Sequence, residues 1–388
     1  MRDFPKVPLS DCPPTYARLL AHGWDTIQEA FDLAMSPALV ELLETAKAAA
    51  GEADKRRTGL APLELGGVPY HVRATGTKGY RWQVECDDYL MLFANPDTDW
   101  PVSIRYLAAG LWEHGVEALR VRALKSLAAY TQPNTSDFQR VSRADYAYDF
   151  YSPAFTREFQ PGALQRATVC HSSCKVQERG AAYSTWATSG QGQTHTIGRK
   201  SSLQVEVYDK TLEITEASGK IWFYELWARH ADGEIFDADV WRVEVRFGSD
   251  FLKERNVRRS HELVALRPQL IAEAIYNRRL TSPQPDDSNR RRWPLHPLWS
   301  EVIRQCGAAE MVPIGRKVTG ARDALVEKAL AQITGTILST SVLAFGEFDE
   351  AKMRELLAPV WNRITHDPDF VRKVEQLQLR YEEVDEAK

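Results

Sequence analysis

No run of 18 or more consecutive apolar residues occurs in this 388-residue chain, and the opening Met1-Arg2-Asp3-Phe4-Pro5-Lys6 lacks the apolar core of a signal peptide. A membrane-spanning helix and a secretory leader are therefore not expected; the expected address is the cytoplasm. Cysteine is scarce: Cys12, Cys86, Cys170, Cys174 and Cys306 are an odd set, which argues against a disulfide scaffold and suits a reducing compartment. Positive charge is not in excess either. Lys and Arg number 49 against 53 Asp and Glu, a formal net charge of −4, so a nucleic-acid partner has to be held by a local basic face. The chain has no Gly-x-x-x-x-Gly-Lys-Ser/Thr loop, and ATP-driven work by this chain is unsupported. What is present, 44% hydrophobic and 26% charged residues, excludes wholesale disorder and suits about two or three domains.

The first 50 residues read as helical. Leu19, Leu20, Ile27, Phe31, Ala34, Leu39, Leu42, Leu43 and Ala46 recur at threes and fours, with Asp25 and Ser36-Pro37 as helix starts and Gly51 to Arg57 as a linker. Strand-like runs follow at Tyr70 to Arg73, Tyr80 to Glu85, Tyr89 to Ala94 and Val102 to Tyr106, then a helical stretch from Leu111 to Tyr130. Phe138 to Phe247 is again strand-rich, and helices dominate after Asp250. The expected fold is therefore α+β: an antiparallel sheet with packed helices and helical segments at both ends. The expected boundaries are 1–58 for the amino-terminal helices, 59–280 for the sheet and 281–388 for the carboxy-terminal helices. An echo at constant offset, Trp100 with Val102 to Tyr106 against Trp241 with Val243 to Phe247, leaves two readings open. Either these are two ordinary strand-to-helix units, or the sheet is duplicated, with Ser103 of one half in the place of Glu244 in the other.

Three strand candidates carry charge where a core strand would not. Period-2 alternation groups Arg143, Asp145, Ala147 and Asp149 on one face of the first, and Gln204, Glu206, Tyr208 and Lys210 on one face of the second. It groups Arg242, Glu244 and Arg246 in the third. Taken singly, each is the solvated face of an antiparallel sheet with ordinary ion pairs. Taken together, one shared face would hold carboxylates able to bind a hard divalent cation beside a tyrosine.

The stretch Ile197-Gly198-Arg199-Lys200-Ser201-Ser202, running into Val207-Tyr208-Asp209-Lys210-Thr211-Leu212-Glu213, resembles a motif of the Rep_trans-type replication initiation factors. Arg143-Ala144-Asp145 through Asp149 and Trp241-Arg242-Val243-Glu244 resemble that family's two other strand motifs, in the same order, over roughly residues 65 to 280. The resemblance implies a sequence-specific nicking and closing protein that starts rolling-circle replication of a plasmid or phage through a covalent 5′-phosphotyrosine. It implies Tyr208 as nucleophile with Lys210 and Glu213 in support, Asp145, Asp149 and Glu244 as ligands of Mg²⁺ or Mn²⁺, and Arg143, Arg199, Lys200, Arg242 and Arg246 on DNA phosphates. The implied partners are origin DNA, double- and single-stranded, and a host helicase and polymerase, with no membrane. A relaxase of a mobile element with the same chemistry and an inactive DNA-binding regulator are the rival readings. Other rolling-circle nucleases hold metal with a His-x-His pair, and none of the nine histidines here is so spaced.

Residues 251 to 300 hold ten basic side chains against five acidic ones, with Tyr276, Trp293 and Trp299 interleaved. That composition reads either as a surface for phosphates and stacked bases or as a solvated helix and loop. Cys170-His171-x-x-Cys174 with His195 lacks a second knuckle of normal spacing, so free thiols are expected rather than zinc. The amino-terminal helices read either as a helix-turn-helix for origin recognition or as a packing or homodimer element, and their five acidic side chains against Lys47 alone between Trp24 and Ala50 do not favour phosphate contact.

Overall fold

The computed structural model describes residues 16–54, 59–170, 183–188, 191–199, 201–230, 239–307 and 320–367, with a few isolated positions beyond. The chain divides into two compact units. Phe4–Lys253 with Val257–Val312 carries the sheet; Pro313–Lys388, with Met1–Asp3 and Glu254–Asn256, is the other. The expected cut near residue 280 thus falls inside the sheet unit.

Of the amino-terminal segment, Pro37–Asp54 is helical as expected and Arg18–Phe31 is not. Arg18–Phe31 forms the long strand β1, followed by helix α1, Pro37–Asp54. The strand pairs with two neighbours at the centre of the sheet, and three register shifts, between Leu19 and Ala21, Trp24 and Thr26, and Gln28 and Glu29, interrupt its pairing with one of them. The first two shifts insert an extra residue in β1, Leu20 and Asp25, and the third inserts Ser142 in the partner strand, so in β1 a two-residue repeat acquires stretches of three-residue spacing that read as helical. Ser36-Pro37 does start α1, with Ser36 Oγ accepting from the Leu39 N–H at 3.2 Å. The helix runs on through Gly51 to Asp54, where a linker was expected.

A meander follows: β2 Leu60–Leu65, β3 Val68–Arg73, β4 Trp82–Glu85, β5 Tyr89–Phe93 and β6 Val102–Leu107. The helical stretch after it is two helices, α2 Ala108–His114 and α3 Val116–Leu127, broken at Gly115, whose φ of 80° is left-handed. The next strands are β7 Gln139–Tyr151, β8 Tyr183–Thr188, β9 Gln191–Gly198, β10 Leu203–Asp209 and β11 Val240–Gly248. Between them lie short helices that the strand-rich reading overlooked: α4 Pro153–Glu158, α5 Pro161–Ala167, α6 Lys210–Glu213 and α7 Trp222–His230. Helices α8 Ser249–Glu254, α9 Ser260–Ala265, α10 Arg267–Asn277 and α11 Pro297–Gln305 complete the helical complement around the sheet. In the other unit, α12 Arg322–Phe345 and α13 Glu350–Thr365 follow each other, and among the described residues no single helix is long and apolar enough to cross a membrane.

The protein is α+β, built on one antiparallel sheet of order β8-β9-β10-β11-β7-β1-β6-β5-β4-β3-β2. Its path repeats. β1 is followed by a helix and a meander whose last strand, β6, returns to pair with β1; β7 is followed by helices and a meander whose last strand, β11, returns to pair with β7. β1 and β7 pair with each other at the seam. The repeat extends to register: Arg105 stands opposite Gln28 and Ser103 opposite Ala30, as Arg246 stands opposite Asp145 and Glu244 opposite Ala147. The duplicated reading of the echo is therefore the one that the topology follows. Gln28 and Ser103 occupy in one half the places of Asp145 and Glu244 in the other.

His195 on β9 is fully buried, with Nε2 2.8 Å from Thr168 Oγ1, and burial pulls its pKa down to about 4. In the unfolded chain the imidazole titrates near 6.5. Between those values the unfolded state binds more protons, so this contribution to stability is present above about pH 6.5 and lost as the pH falls toward 4. Urea denaturation is expected to show about 2 kcal/mol of acid destabilisation between pH 7 and pH 5 from this group. His195→Gln should remove that component; an unchanged pH dependence in the variant would refute it.

Candidate active site

Strand register alone assembles the site. β10 pairs with β11 so that Gln204, Glu206 and Tyr208 stand opposite Arg246, Glu244 and Arg242. β11 pairs with β7 so that Arg246, Glu244 and Arg242 stand opposite Asp145, Ala147 and Asp149. Residues directly opposite in an antiparallel pair share a face. The face therefore carries three rows, Gln204–Arg246–Asp145, Glu206–Glu244–Ala147 and Tyr208–Arg242–Asp149, while Val205, Val207, Val243 and Val245 point into the core.

The Tyr208 row is closed over at Arg242 and Asp149, neither of which has any exposed surface. Arg242 grips Asp149 with a two-pronged fork, Nε to Oδ1 at 2.6 Å and Nη2 to Oδ2 at 2.9 Å, and its Nη1 donates to Asp25 Oδ1 at 2.6 Å. The indole N–H of Trp227 donates to Asp149 Oδ2 at 2.9 Å, and the Phe223 ring lies 4.5 Å from the Arg242 guanidinium. Both aromatic residues come from α7, which lids this row. Burial is the largest influence on Asp25 and pushes its pKa up, but Arg242, Lys220 and Lys210 outweigh it and the carboxyl is held below its usual value.

Asp25 was read from the sequence as a helix start. It is instead the extra residue between Trp24 and Thr26 in β1, and that local irregularity sets its carboxylate against Arg242, 217 residues away. Nothing local in the sequence marks such a partner.

In the middle row, Tyr208 Oη donates to Glu244 Oε2 at 2.9 Å, and Arg246 Nη2 donates to Glu244 Oε1 at 2.9 Å. Glu206, absent from the sequence-derived set, accepts from Thr196 Oγ1 at 3.1 Å and from Gln204 Nε2 at 2.6 Å. Burial, then the charges of Asp25 and Asp145, push the Glu244 carboxyl up to about 7. Burial and then the charge of Glu244 hold the Tyr208 phenol well above its ordinary value. In the first row Gln204 and Asp145 are buried, and solvent is reached beside them at Arg143. Arg143, one-third exposed, grips Asp145 through Nε and Nη2, and Arg246 reaches the same carboxylate from the other side, Nε to Oδ2 at 3.1 Å. Arg246 Nη1 also donates to Gln204 Oε1 at 3.3 Å.

Asp145, Glu244 and Tyr208 thus converge. Asp149 lies on the same face but is consumed by Arg242 and Trp227. Lys210 turns away from the phenol: its Nζ lies 2.5 Å from Glu213 Oε2 and 4.8 Å from the Phe223 ring, against 5.9 Å from the Tyr208 ring. The cation paired across the strands from Tyr208 is Arg242. Arg199 is exposed on the turn after β9, and Lys200 lies outside the described residues. As arranged, the expected Mg²⁺ or Mn²⁺ ligands do not fit an ion, because guanidinium groups occupy the carboxylates. Among the described residues no three Asp, Glu, His or Cys side chains form a metal-binding group. The candidate zinc residues His171 and Cys174 lie outside the described residues, and Cys170 is half-buried and in no disulfide among the described residues.

The basic stretch after residue 251 needs a correction. Tyr276, Trp293 and Trp299 are buried, with Trp293 Nε1 donating to the Asp287 carbonyl at 2.6 Å and Trp299 Nε1 to the Arg278 carbonyl at 3.1 Å. Arg279 is likewise internal, tied to the carbonyls of Tyr276 and Arg291 at 2.8 Å each. Those aromatics are core, and no base can stack on them.

No protein-family model matches the chain, and no curated protein matches it. Among solved structures, the chain is similar to the rolling circle replication initiator protein from Geobacillus stearothermophilus, at 16% identity and a TM-score of 0.39, over 76% of this chain and 99% of that one. A superposition that loose transfers neither residues nor activity.

Proposed function

We propose that this chain nicks and rejoins one strand of an origin DNA, with Tyr208 as the nucleophile, and so initiates rolling-circle replication. The observation that supports this reading most is the contact of Tyr208 Oη with Glu244 Oε2 at 2.9 Å, on a sheet face flanked by Arg246 and Arg143. A general base has to lie within hydrogen-bond reach of the proton it takes and to titrate near the working pH. Glu244, pushed up to about 7, meets both conditions.

In the proposed step the Tyr208 oxygen attacks a backbone phosphorus, forming an O–P bond while the bond to the 3′ oxygen breaks. Glu244 takes the phenol proton, and the departing 3′ oxygen takes one from water. Because the phenol is far less acidic than Glu244 in the resting site, the proton moves together with attack rather than before it. Arg143 and Arg246 then share their donors between Asp145 and the phosphate oxygens, Arg143 from the solvent side. Rejoining runs the same step backwards. No step is routed through a metal ion, and unwinding is left to a host helicase.

The test is a supercoiled plasmid carrying the DNA that flanks this protein's own gene, incubated with Mg²⁺, Mn²⁺ or EDTA and scored for relaxation and for a protein–DNA adduct resistant to denaturant. Adduct formation is expected to rise with pH through about 7, as Glu244 loses its proton. Glu244→Gln is expected to lower the rate by about 10²- to 10⁴-fold and to flatten that inflection. DNA binding without adduct at any pH would instead favour the regulator reading.

A further inference from the structure

Trp100 sits in a place that its counterpart in the duplicated half does not prepare. Trp241 is in β11, 2% exposed, stacked on Phe159 at 4.7 Å and edge-on to Phe155 at 4.9 Å. Trp100 lies just before β6, half-exposed, with a left-handed φ of 55° that a bulky residue rarely adopts. The Arg140 guanidinium lies over its ring at 4.1 Å. Both line a cleft of about 610 Å³ together with Lys253 and Arg258, a volume in the range of small-ligand sites. Asp137 and Asp250 are the acidic groups of the wall, and Asp137 is within 3.5 Å of Arg258.

The cleft lies beyond one end of the catalytic rows. Ser249 and Asp250 follow Gly248, which pairs with Arg143, and Arg140 is three residues from Arg143 along β7. From Arg242 to Gly248 the strand advances by about 20 Å, a span that a short single-stranded segment covers. The pairing with β1 skips Ser142, so Arg140, opposite Ala30, keeps the face of Arg143, opposite Gln28, and a strand leaving the site along Arg246 and Arg143 continues along that face toward Arg140 and Trp100.

We infer that this cleft is a subsite for an unpaired nucleotide of single-stranded DNA, whose base stacks on Trp100 and whose phosphates are met by Arg140, Lys253 and Arg258. In the free protein Arg140 covers the ring; the base takes its place and the guanidinium moves to the backbone. A left-handed φ held at a half-buried aromatic is a strained position of the kind that clusters at ligand sites. The inference deepens the nicking proposal and rests on it for the presence of single-stranded DNA beside the site.

The experiment is fluorescence anisotropy with a short fluorescein-labelled oligodeoxythymidylate, at several salt concentrations. Trp100→Gly is expected to weaken binding about 5- to 100-fold. Glycine carries a φ of 55° without steric cost, so its melting temperature should equal or exceed that of the natural chain. Trp100→Phe keeps a ring and should bind within about threefold, while losing the tryptophan quenching that the natural chain shows on adding unlabelled oligonucleotide. Arg140→Ala should reduce the slope of log Kd against log salt by about 0.7. Trp100→Gly binding within about twofold of the natural chain, or unchanged quenching in Trp100→Phe, overturns the subsite. The covalent-adduct assay on the same proteins separates the two proposals. Trp100-dependent binding without adduct sinks nicking and leaves the subsite standing; adduct with Trp100-independent binding does the reverse.

Discussion

Tyr208→Phe is expected to abolish the covalent adduct and to lower nicking by at least about 10³-fold, since it removes the only atom of that side chain able to attack phosphorus. The variant suits the question because little else changes. The ring keeps its place in β10, and Glu244 keeps its contact with Arg246. The lost hydrogen bond should lower stability by about 1 kcal/mol, too little to unfold the chain. The measurement is gel separation of nicked from supercoiled plasmid, with the adduct detected after nuclease trimming. An adduct that survives in Tyr208→Phe would move the nucleophile elsewhere, to Tyr183 on β8 or Tyr224 on α7.

The second large effect is structural. Arg242→Met should lower unfolding stability by about 3 to 5 kcal/mol, because it leaves Asp149 and Asp25 without the cation that holds them. Asp149 has no exposed surface, and its remaining partner is the Trp227 N–H, which cannot compensate a full charge. Methionine fills much of the volume against Phe223, so the loss reports stranded charge more than a cavity. Adding Asp149→Leu to Arg242→Met should recover part of the loss, since replacing both partners by apolar groups removes the buried charge. Urea titration of the single and double variants measures this; a single variant within about 1 kcal/mol of the natural chain would mean that the network is not structural. The same experiment separates two roles for Asp149. A scaffold carboxylate costs stability when altered, whereas a ligand that faces solvent costs activity first.

Most of the site face was legible because β7, β10 and β11 are regular. With no bulge in their mutual pairing, strict alternation sorts Asp145, Tyr208, Glu244 and the arginines onto one face of their respective strands by counting, and the register joins those faces. The amino-terminal strand was hidden for the opposite reason: two of its register shifts insert residues, Leu20 and Asp25, that break the alternation of β1, and Asp25 owes its place to one of them. The short helices between strands escaped because α4 to α6 are too brief for a period to show, and Gly115 divides what reads as one helix. The basic stretch after residue 251 misled because composition counts Arg279, Trp293 and Trp299 as surface, while packing puts them inside.

Spacing along the chain determined which residues of each strand share a face; the side-by-side pairing of β7, β11 and β10 is what brings Tyr208, Glu244 and Asp145 together. The sequence echo likewise carried the duplication, since the two copies repeat both their apolar pattern and their register. Only the tertiary structure decided which charge meets which. Arg242 is spent on Asp149 and Asp25 beneath α7, Lys210 on Glu213, and Glu244 alone is left against the Tyr208 hydroxyl. Alternation is a property of the backbone and survives in one dimension; ion pairing and burial depend on distances across strands and on the helix laid over them.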